Sequence, residues 1–410
     1  MSRYSSAEFE KLYRYEAVKV KAIMTRYVGI HNIDVVEDIV QETLVAALES
    51  WQNKLPDNPG GWLMDVAKKK YIDYLRRKIH YEKKILPQLQ CKFLNTYQQS
   101  GVEEINDSLL RTIFYCCHPI LQQESQVCLA LKTLCGFNIT EIASSLVTTK
   151  MNINKRLFRA KQKLRNENIS FEIPQKALEK RLESVLLTLE LLFNEGYLSS
   201  HPNKIIRTEL CSEAIRLAQL LLNLLNDRPQ IHGLLALMHL HMSRFSSRLG
   251  EQNTIITLEK QNRSGWNSEL ISKGIYHLQQ ATQSNTLCTH ILKAGIAAEH
   301  SLAPDFSSTN WSSICRQYQL LLQIENTPII QLNFAIAEYF NRQTAKAFKR
   351  LHYIEKKLDN YFLLPATLGE LYFRENKQLL AKKYFEQALK ATTSSAQKTF
   401  LKNKLSSFTT

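Results

Sequence analysis

The clearest pattern in the chain is a regular spacing of apolar residues over long stretches, with polar residues between them. Between residues 36 and 51 an apolar position recurs every three or four residues, which is the period of an amphipathic α-helix. These positions are Val36, Ile39, Val40, Thr43, Leu44, Ala47, Leu48 and Trp51. The opposite side carries Glu37, Asp38, Gln41 and Glu42. The pattern predicts a helix with a buried stripe and an acidic, exposed face.

A basic helix follows this acidic one after a break. Residues 54–61 contain two prolines and two glycines, a density that predicts a loop. The next helix is expected to run from Trp62 to Arg77, and lysine and arginine crowd its second half. Residues 81–106 are polar and glutamine-rich with no sustained period, so they are expected to form a linker.

A second pair of helices is predicted between residues 138 and 165. Asn138 followed by Glu141 has the spacing of a capping box, which marks a helix start. Residues 147–149 break the pattern, and a second helix is expected to begin near Lys150. The apolar positions expected to pack the two helices are Ile142, Ala143, Leu146, Ile153, Leu157 and Leu164. Cap, turn and apolar spacing together predict a helix-turn-helix, with residues 170–174 ending this domain.

Residues 179–410 also have helical periodicity throughout. One segment has the offsets of a tetratricopeptide repeat, although Thr393 stands where the repeat usually ends in proline. The matching positions are Leu368, Gly369, Tyr372, Ala381, Phe385 and Ala388. A weaker echo includes Ala214 and Ala218. We therefore predict an all-α protein with a helical domain at 1–80, a linker at 81–106, a helix-turn-helix domain at 107–173 and a TPR-like helical array at 174–410.

Composition narrows the class of protein. The 410 residues carry a net charge of +15, and 12 glycines and 10 prolines suit a mostly helical chain. The first residues are polar and no run of about 18 apolar residues occurs, so neither a signal peptide nor a membrane span is expected and a cytoplasmic location is predicted. The eight cysteines include no CxxC pair, and no metal or cofactor site is expected.

Several of these segments resemble one family, the sigma factors of bacterial RNA polymerase. The stretch 58–63, Ala67 and residues 73–77 are similar to the family region that recognises and melts the −10 promoter element. Residues 110–119, 192–197, 211–217 and 233–238, with Gln261, Arg263, Ser264 and Trp266, are similar to a group of extracytoplasmic-function-type sigma factors that carry a C-terminal helical extension. The resemblance covers nearly the whole chain.

The resemblance implies three sets of site residues. The acidic helix would be the region 2 surface for the β′ coiled coil of core polymerase: Asp38, Gln41 and Glu42. The −10 set, with cations for phosphate and aromatic rings for unstacked bases, comprises Asn58, Trp62, Lys68, Lys69, Lys70, Tyr71, Arg76 and Arg77. The −35 set, on the recognition helix of region 4, comprises Lys150, Asn152, Asn154, Lys155, Arg156, Arg159 and Lys163. Region 4 would also bind the β flap, and the extension would regulate activity, with a regulatory protein as a candidate partner.

Other interpretations remain open from the residues alone. A classical DNA-binding regulator would need only the helix-turn-helix and leaves residues 31–78 unexplained. A scaffold is a third alternative. An enzyme finds no support, because the chain has no nucleophile–base pattern, phosphate-binding glycine loop or metal spacing. In the extension, Asn194, Glu195, Tyr197 and Arg263 form either a polar site between helices or buried structural hydrogen bonds.

Overall fold

The computed structural model divides the chain into two compact units, residues 1–192 and 193–410. It describes residues 6–51, 55–79, 102–167, 175–199, 206–226, 228–250, 254–284, 286–358, 361–392 and 394–408. Lys54, most of the predicted 81–106 linker and Thr393 lie outside the described residues.

The first unit is a bundle built around its N-terminal helix. Its helices are α1 (Ser6–Val28), α2 (Ile33–Ser50), α3 (Pro59–Ile79), α4 (Val102–Cys116), α5 (Gln123–Leu134), α6 (Ile139–Ser145), α7 (Lys150–Asn166) and the greater part of α8 (Gln175–Tyr197). Helix α1 packs against α2, α3, α4 and α5. The two helical regions separated in the sequence by the predicted linker thus share one compact unit.

The second unit is a succession of helices, each packed on its neighbours in sequence. They are α9 (Thr208–Leu225), α10 (Pro229–Met242), α11 (Ser268–Thr282), α12 (Thr289–Leu302), α13 (Trp311–Ile324), α14 (Pro328–Phe340), α15 (Thr344–Ile354), α16 (Leu363–Arg374), α17 (Gln378–Ala391) and α18 (Ser395–Ser406). Short 3-10 turns interrupt the segment between α10 and α11.

The all-α prediction is confirmed. Over the described ranges the secondary structure is helical, and extended pairing is limited to a single bridge between Leu249 and Ile255. None of the helices in those ranges is both long and apolar enough to cross a bilayer.

The helices at the end of the chain pack through the positions that fit the repeat pattern. The side chains of Leu368, Tyr372, Ala381, Phe385 and Ala388 are all buried in one cluster between α16 and α17. Gly369 faces the ring of Phe385, and a Cβ there would lie 2.8 Å from a ring carbon. The close approach of the two helices therefore depends on the missing side chain.

Element boundaries differ from the sequence prediction in three places. Helix α3 begins at Pro59, inside the predicted 54–61 loop, and ends at Ile79. Helix α4 begins at Val102, inside the predicted linker, and the division between the two units falls within α8 instead of near residue 174. The apolar stripe of α2 is buried apart from Leu48, which is 47% exposed. Periodicity locates the apolar side of a helix but does not reveal how far its neighbours extend along that side.

Three histidines lie together in the interior of the second unit. His232 and His239 come from α10 and His277 comes from α11. The Nδ1 atoms of His232 and His277 are 2.8 Å apart, and the rings of His239 and His277 stack with centroids separated by 5.7 Å. Burial is the main cause that lowers the pKa of both His239 and His277 to about 4, because it disfavours the charged imidazolium.

We expect the second unit to lose stability as the pH falls from about 6.5, the usual histidine pKa in an unfolded chain, toward the folded value of about 4. In that pH window, His239 and His277 are protonated in the unfolded chain but stay neutral in the folded chain. Each such histidine therefore lowers the free energy of unfolding by about 1.4 kcal/mol per pH unit. Thermal or urea unfolding of the full chain at several pH values across the window measures this slope.

The variant His239→Leu sharpens the test. It removes one titrating ring and leaves the hydrogen bond between His232 and His277 in place. Its stability is expected to depend less steeply on pH, by about one proton's slope. A wild-type stability that stays flat across the window would contradict the prediction.

Candidate functional site

The polar face of α2 has acidic and apolar side chains together. Asp38, Gln41 and Glu42 are exposed, as the sequence predicts for that face. Val45 and Leu48, one to three turns further along the same face, are 52% and 47% exposed. Exposed apolar groups beside carboxylates on one helix face are typical of a surface that binds another protein.

Glu37 does not belong to this exposed face, which corrects the sequence prediction. Its carboxylate lies between α1 and α7, 3.3 Å from the Lys21 ammonium and 2.5 Å from that of Lys161. Burial opposes ionisation of Glu37, but the two lysines outweigh burial and lower the pKa of its carboxyl group. A carboxylate held in this way contributes to packing and is not available to a partner.

The same ion pairs join the start of α2 to the end of α7. Lys161 also lies 3.0 Å from Asp34, and the Arg165 guanidinium donates to Asp34 as well. Burial disfavours the charge on Lys161, yet Glu37 and Asp34 raise its pKa. The acidic helix and the second helix of the predicted helix-turn-helix are thus linked by a network of four charged side chains.

Helix α3 presents a mostly exposed basic strip. Asn58 sits just before its start, and its side-chain oxygen accepts a hydrogen bond from the Gly61 amide at 2.9 Å. Lys69, Arg76 and Arg77 are exposed, whereas Lys68 and Lys70 are half-buried. Two of the cations have carboxylate partners: Lys70 with Glu42 at 3.2 Å and Arg76 with Asp73 at 3.3 Å.

The aromatic residues of α3 depart from the prediction at one position. Trp62 is half-buried, with its ring edge-on to Trp51 at a centroid distance of 5.2 Å. Tyr71 is 7% exposed, so its ring faces the core and cannot stack on a base in this arrangement. The half-buried Tyr74 stacks on Tyr71 at 6.3 Å and lies closer to solvent. Tyr74 is not among the predicted site residues, although it lies beside the basic strip.

Helices α6 and α7 are joined by a short turn, and a side chain caps the start of each helix. The Asn138 side chain accepts from the Glu141 amide at 2.9 Å, and the Glu141 carboxylate accepts from the Asn138 amide at 2.7 Å. Thr149 caps α7 by accepting from the Asn152 amide at 3.2 Å. Ile142, Ile153 and Leu164 are fully buried, which fixes the angle between the two helices.

Most of the residues predicted to read DNA are exposed on α7. They are Lys150, Asn152, Asn154, Lys155, Arg159 and Lys163. Arg156 is half-buried and interacts with the buried thiol of Cys128, so it faces α5 and not solvent. Its position close to the buried stripe on the helix circumference explains this difference.

Two large apolar residues interrupt the basic surface of α7. Met151 is 62% exposed and Phe158 is 69% exposed, one on each side of Lys155 and on the same face. Neither residue is among the predicted site residues, because apolar side chains are expected in the core. Their exposure, not their type, marks them as part of the surface.

Removal of the Asn138 cap is expected to loosen this helix pair. Asn138→Ala leaves the Glu141 amide without its side-chain acceptor, and should lower the free energy of unfolding by about 1 kcal/mol. Urea unfolding of the chain measures the change. Ser144→Ala, at an exposed position in the same helix, is the matched control. Equal stability of the two variants would contradict a role for the cap.

No group of three potential metal ligands is found among the residues that the structure describes. The surfaces of α2, α3 and α7 present cations, carboxylates, amides and aromatic rings, which are groups that can bind a charged partner.

Comparison with known proteins identifies two segments. Residues 12–79, which contain α2 and α3, match sigma-70 region 2, and residues 181–282 match a family of unknown function, DUF6596. An uncharacterized protein of Rhizobium meliloti (strain 1021) is 28% identical over 382 residues, covering 91% of this chain and 90% of the relative. The ECF RNA polymerase sigma factor SigE of Mycolicibacterium smegmatis is 26% identical over 164 residues, covering 38% of this chain and 60% of that protein. No solved structure matches the chain.

Proposed function

We propose that this chain is a sigma factor that binds core RNA polymerase, recognises the −35 and −10 promoter elements and opens DNA for transcription initiation. The region 2 match and the similarity to an ECF sigma factor support a role in transcription initiation. The observation that carries the proposal is that the segment matching region 2 exposes an acidic helix face and, on the next helix, a basic strip.

The acidic face of α2 is the proposed contact with core polymerase. Asp38, Gln41 and Glu42 would meet a basic partner surface, the β′ coiled coil in sigma factors, and opposite charges would orient and speed the encounter. Val45 and Leu48 would supply the apolar area that such an interface buries.

The basic strip of α3 is the proposed −10 surface. Lys68, Lys69, Lys70, Arg76 and Arg77 would contact phosphates and release counterions. A melted strand needs rings on which unstacked bases can lie, and Trp62 and Tyr74 are accessible enough for that role. Because Tyr71 is buried, we assign it to the support of Tyr74.

Helices α6 and α7 are proposed to be the helix-turn-helix of region 4, with α7 in the major groove of the −35 element. Its exposed asparagine and basic side chains can pair with adenine and guanine edges. Met151 and Phe158 would contact thymine methyl groups on the same face. The proposed contact between region 4 and the β flap uses another face of the domain, so the exposed face of α7 stays available to DNA.

Residues 174–410 are proposed to be a TPR-like regulatory extension. The buried repeat positions of α16 and α17 support that assignment, and helical arrays of this kind bind other proteins on their surfaces. We propose a regulatory protein as the partner. No catalysis is assigned to the chain, since the polymerase performs the reaction.

In vitro transcription tests the proposal. The purified chain would be added to sigma-free core polymerase with a library of promoter fragments. New and specific start sites are expected, and their upstream sequences would reveal both promoter elements. Failure to bind core polymerase, together with sequence-specific duplex binding by the chain alone, would refute the proposal and favour a classical regulator.

Core binding without transcripts would point to the extension as an inhibitor. A chain truncated after residue 199, which keeps α8 with the first unit, would then be compared with the full chain in the same assay. Transcripts from neither protein would contradict the assigned role in promoter opening.

A further inference from the structure

Two arginines in the second unit meet at one tyrosine without a carboxylate partner. The Arg244 guanidinium donates to the Tyr197 hydroxyl, and the Arg248 guanidinium donates to the Tyr197 carbonyl oxygen. The Arg248 Cζ also lies 3.6 Å from the centroid of the Tyr197 ring. We call these three residues the arginine–tyrosine cluster. All three are half-buried, so the charges are partly removed from water while remaining reachable.

The positive charge at this place is not neutralised by the described residues. None of the ion pairs found there includes Arg244 or Arg248. Elsewhere in the same unit, half-buried arginines are paired: Arg216 with Glu213, Arg350 with Glu338 and Arg374 with Glu259. Two like charges that share one tyrosine repel each other, and an arrangement of this kind is stabilised by a bound anion.

A third cation adds to the positive field, and a neighbouring histidine is kept neutral by burial and by that field. The Arg263 guanidinium is held by the carbonyl oxygens of His300 at 2.6 Å and Ala303 at 2.7 Å. Burial, followed by the charges of Arg244 and Arg263, lowers the pKa of His300 to about 3. Asp305 attracts Arg263, but its carboxylate already accepts from Ser307 and Ser308, at 2.7 and 2.8 Å. This carboxylate does not form an ion pair with the cluster.

The cluster also has more donors than acceptors. A guanidinium carries five N–H groups, and one from each of Arg244 and Arg248 is used within the described residues. The Tyr197 oxygen accepts from Arg244, while its own proton has no acceptor among those residues. A hydroxyl and two forked guanidinium groups left with free donors match the oxygen atoms of an oxyanion.

We propose that the arginine–tyrosine cluster of Tyr197, Arg244 and Arg248 binds the phosphate group of a small ligand. Two positive charges match a phosphate dianion better than a single carboxylate. A small ligand fits better than a nucleic-acid backbone because the three side chains are half-buried and gathered at one point, whereas a backbone needs a line of exposed cations. On the proposed function, binding of this ligand would let the regulatory extension respond to the ligand's concentration.

Calorimetric titration of the full chain with inorganic phosphate tests the proposal, with sodium chloride balancing the ionic strength. Saturable binding is expected. Tyr197→Phe keeps the ring under Arg248 and removes only the hydroxyl, and Arg244→Gln removes one fork. Each is expected to weaken phosphate binding about tenfold. Arg244→Lys keeps the charge without the fork and should lie between Arg244→Gln and the wild type.

Matched controls come from the same unit. Tyr276→Phe removes a hydroxyl from an exposed ring, and Arg316→Gln removes an exposed arginine that bonds only to Ser312 among the described residues. Both should bind phosphate as the wild type does. Absence of saturable binding, or equal binding in Tyr197→Phe, Arg244→Gln and the controls, would overturn the proposal.

A second arm separates the two sources of phosphate. A short single-stranded oligothymidylate replaces phosphate in the titration of the wild type and Tyr197→Phe. Binding that is equal in both proteins supports the small-ligand assignment, because unit 1 then accounts for DNA binding. Oligonucleotide binding that is lost in Tyr197→Phe, with no binding of free phosphate, would overturn it.

Discussion

Reversal of the charges on Asp38 and Glu42 to lysine is expected to weaken binding to core RNA polymerase about 100-fold or more. Couplings between close interfacial charges amount to about 1.5–7 kcal/mol, and each reversal replaces attraction with repulsion. Both residues are exposed on α2, so the fold should tolerate the change. Binding of the labelled chain to sigma-free core polymerase measures the effect.

The control and a single variant make this result specific. Glu183→Lys combined with Glu386→Lys changes the net charge equally at exposed positions of the proposed extension and should leave the affinity unchanged. Glu42 is paired with Lys70, whereas Asp38 has no ion pair among the described residues. The single variant Asp38→Lys should therefore show most of the loss of core affinity that is expected for the double variant. If the double variant binds core polymerase with wild-type affinity, α2 is not part of the interface.

Replacement of Lys155 and Arg159 by alanine is expected to lower transcription from a −35-dependent promoter about 100-fold and to leave core binding intact. Each side chain that reads a base edge or a phosphate contributes about 1–3 kcal/mol. Both residues are exposed on α7 near Phe158, so the helix itself should remain folded. Transcription by reconstituted holoenzyme and core binding are measured on the same preparation.

The matched control for this pair lies in the second unit. Lys382→Ala with Lys383→Ala removes the same charge from exposed positions of α17 and should leave transcription near the wild-type level. The loss in Lys155→Ala with Arg159→Ala should also be larger at low salt, where phosphate contacts are strongest. Full activity of that double variant would mean that α7 does not read the promoter.

Helices and their apolar sides could be predicted from the sequence because spacing alone determines them. Ile142, Ile153 and Leu164 recur with the helical period, and all three are fully buried. The capping box at Asn138 could be predicted for a similar reason, since both partners lie within one turn. These features depend on residues close together in the chain.

Features that depend on distant neighbours could not be predicted. Glu37 and Asp38 are adjacent, yet Glu37 is enclosed by lysines from α1 and α7 while Asp38 faces solvent. Tyr71 is buried because α3 turns that side toward the bundle, and Phe158 is exposed because no described helix covers that side of α7. Which face of a helix meets another helix is decided by tertiary packing, and an apolar side chain can therefore lie on either face.

The ion pairs between α2 and α7 have a consequence for DNA binding by the free chain. Asp34 and Glu37 form ion pairs with Lys161 and Arg165. A carboxylate is negatively charged, as a phosphate is, so these two acids would compete with DNA for both cations. Because the two carboxylates belong to the same molecule as the cations, their effective concentration at the cations is about millimolar. On the proposed function, α3 and α7 bind two promoter elements that are separated along the duplex. Joining the polymerase would separate α2 from α7, remove the internal competitor and release both cations for promoter DNA.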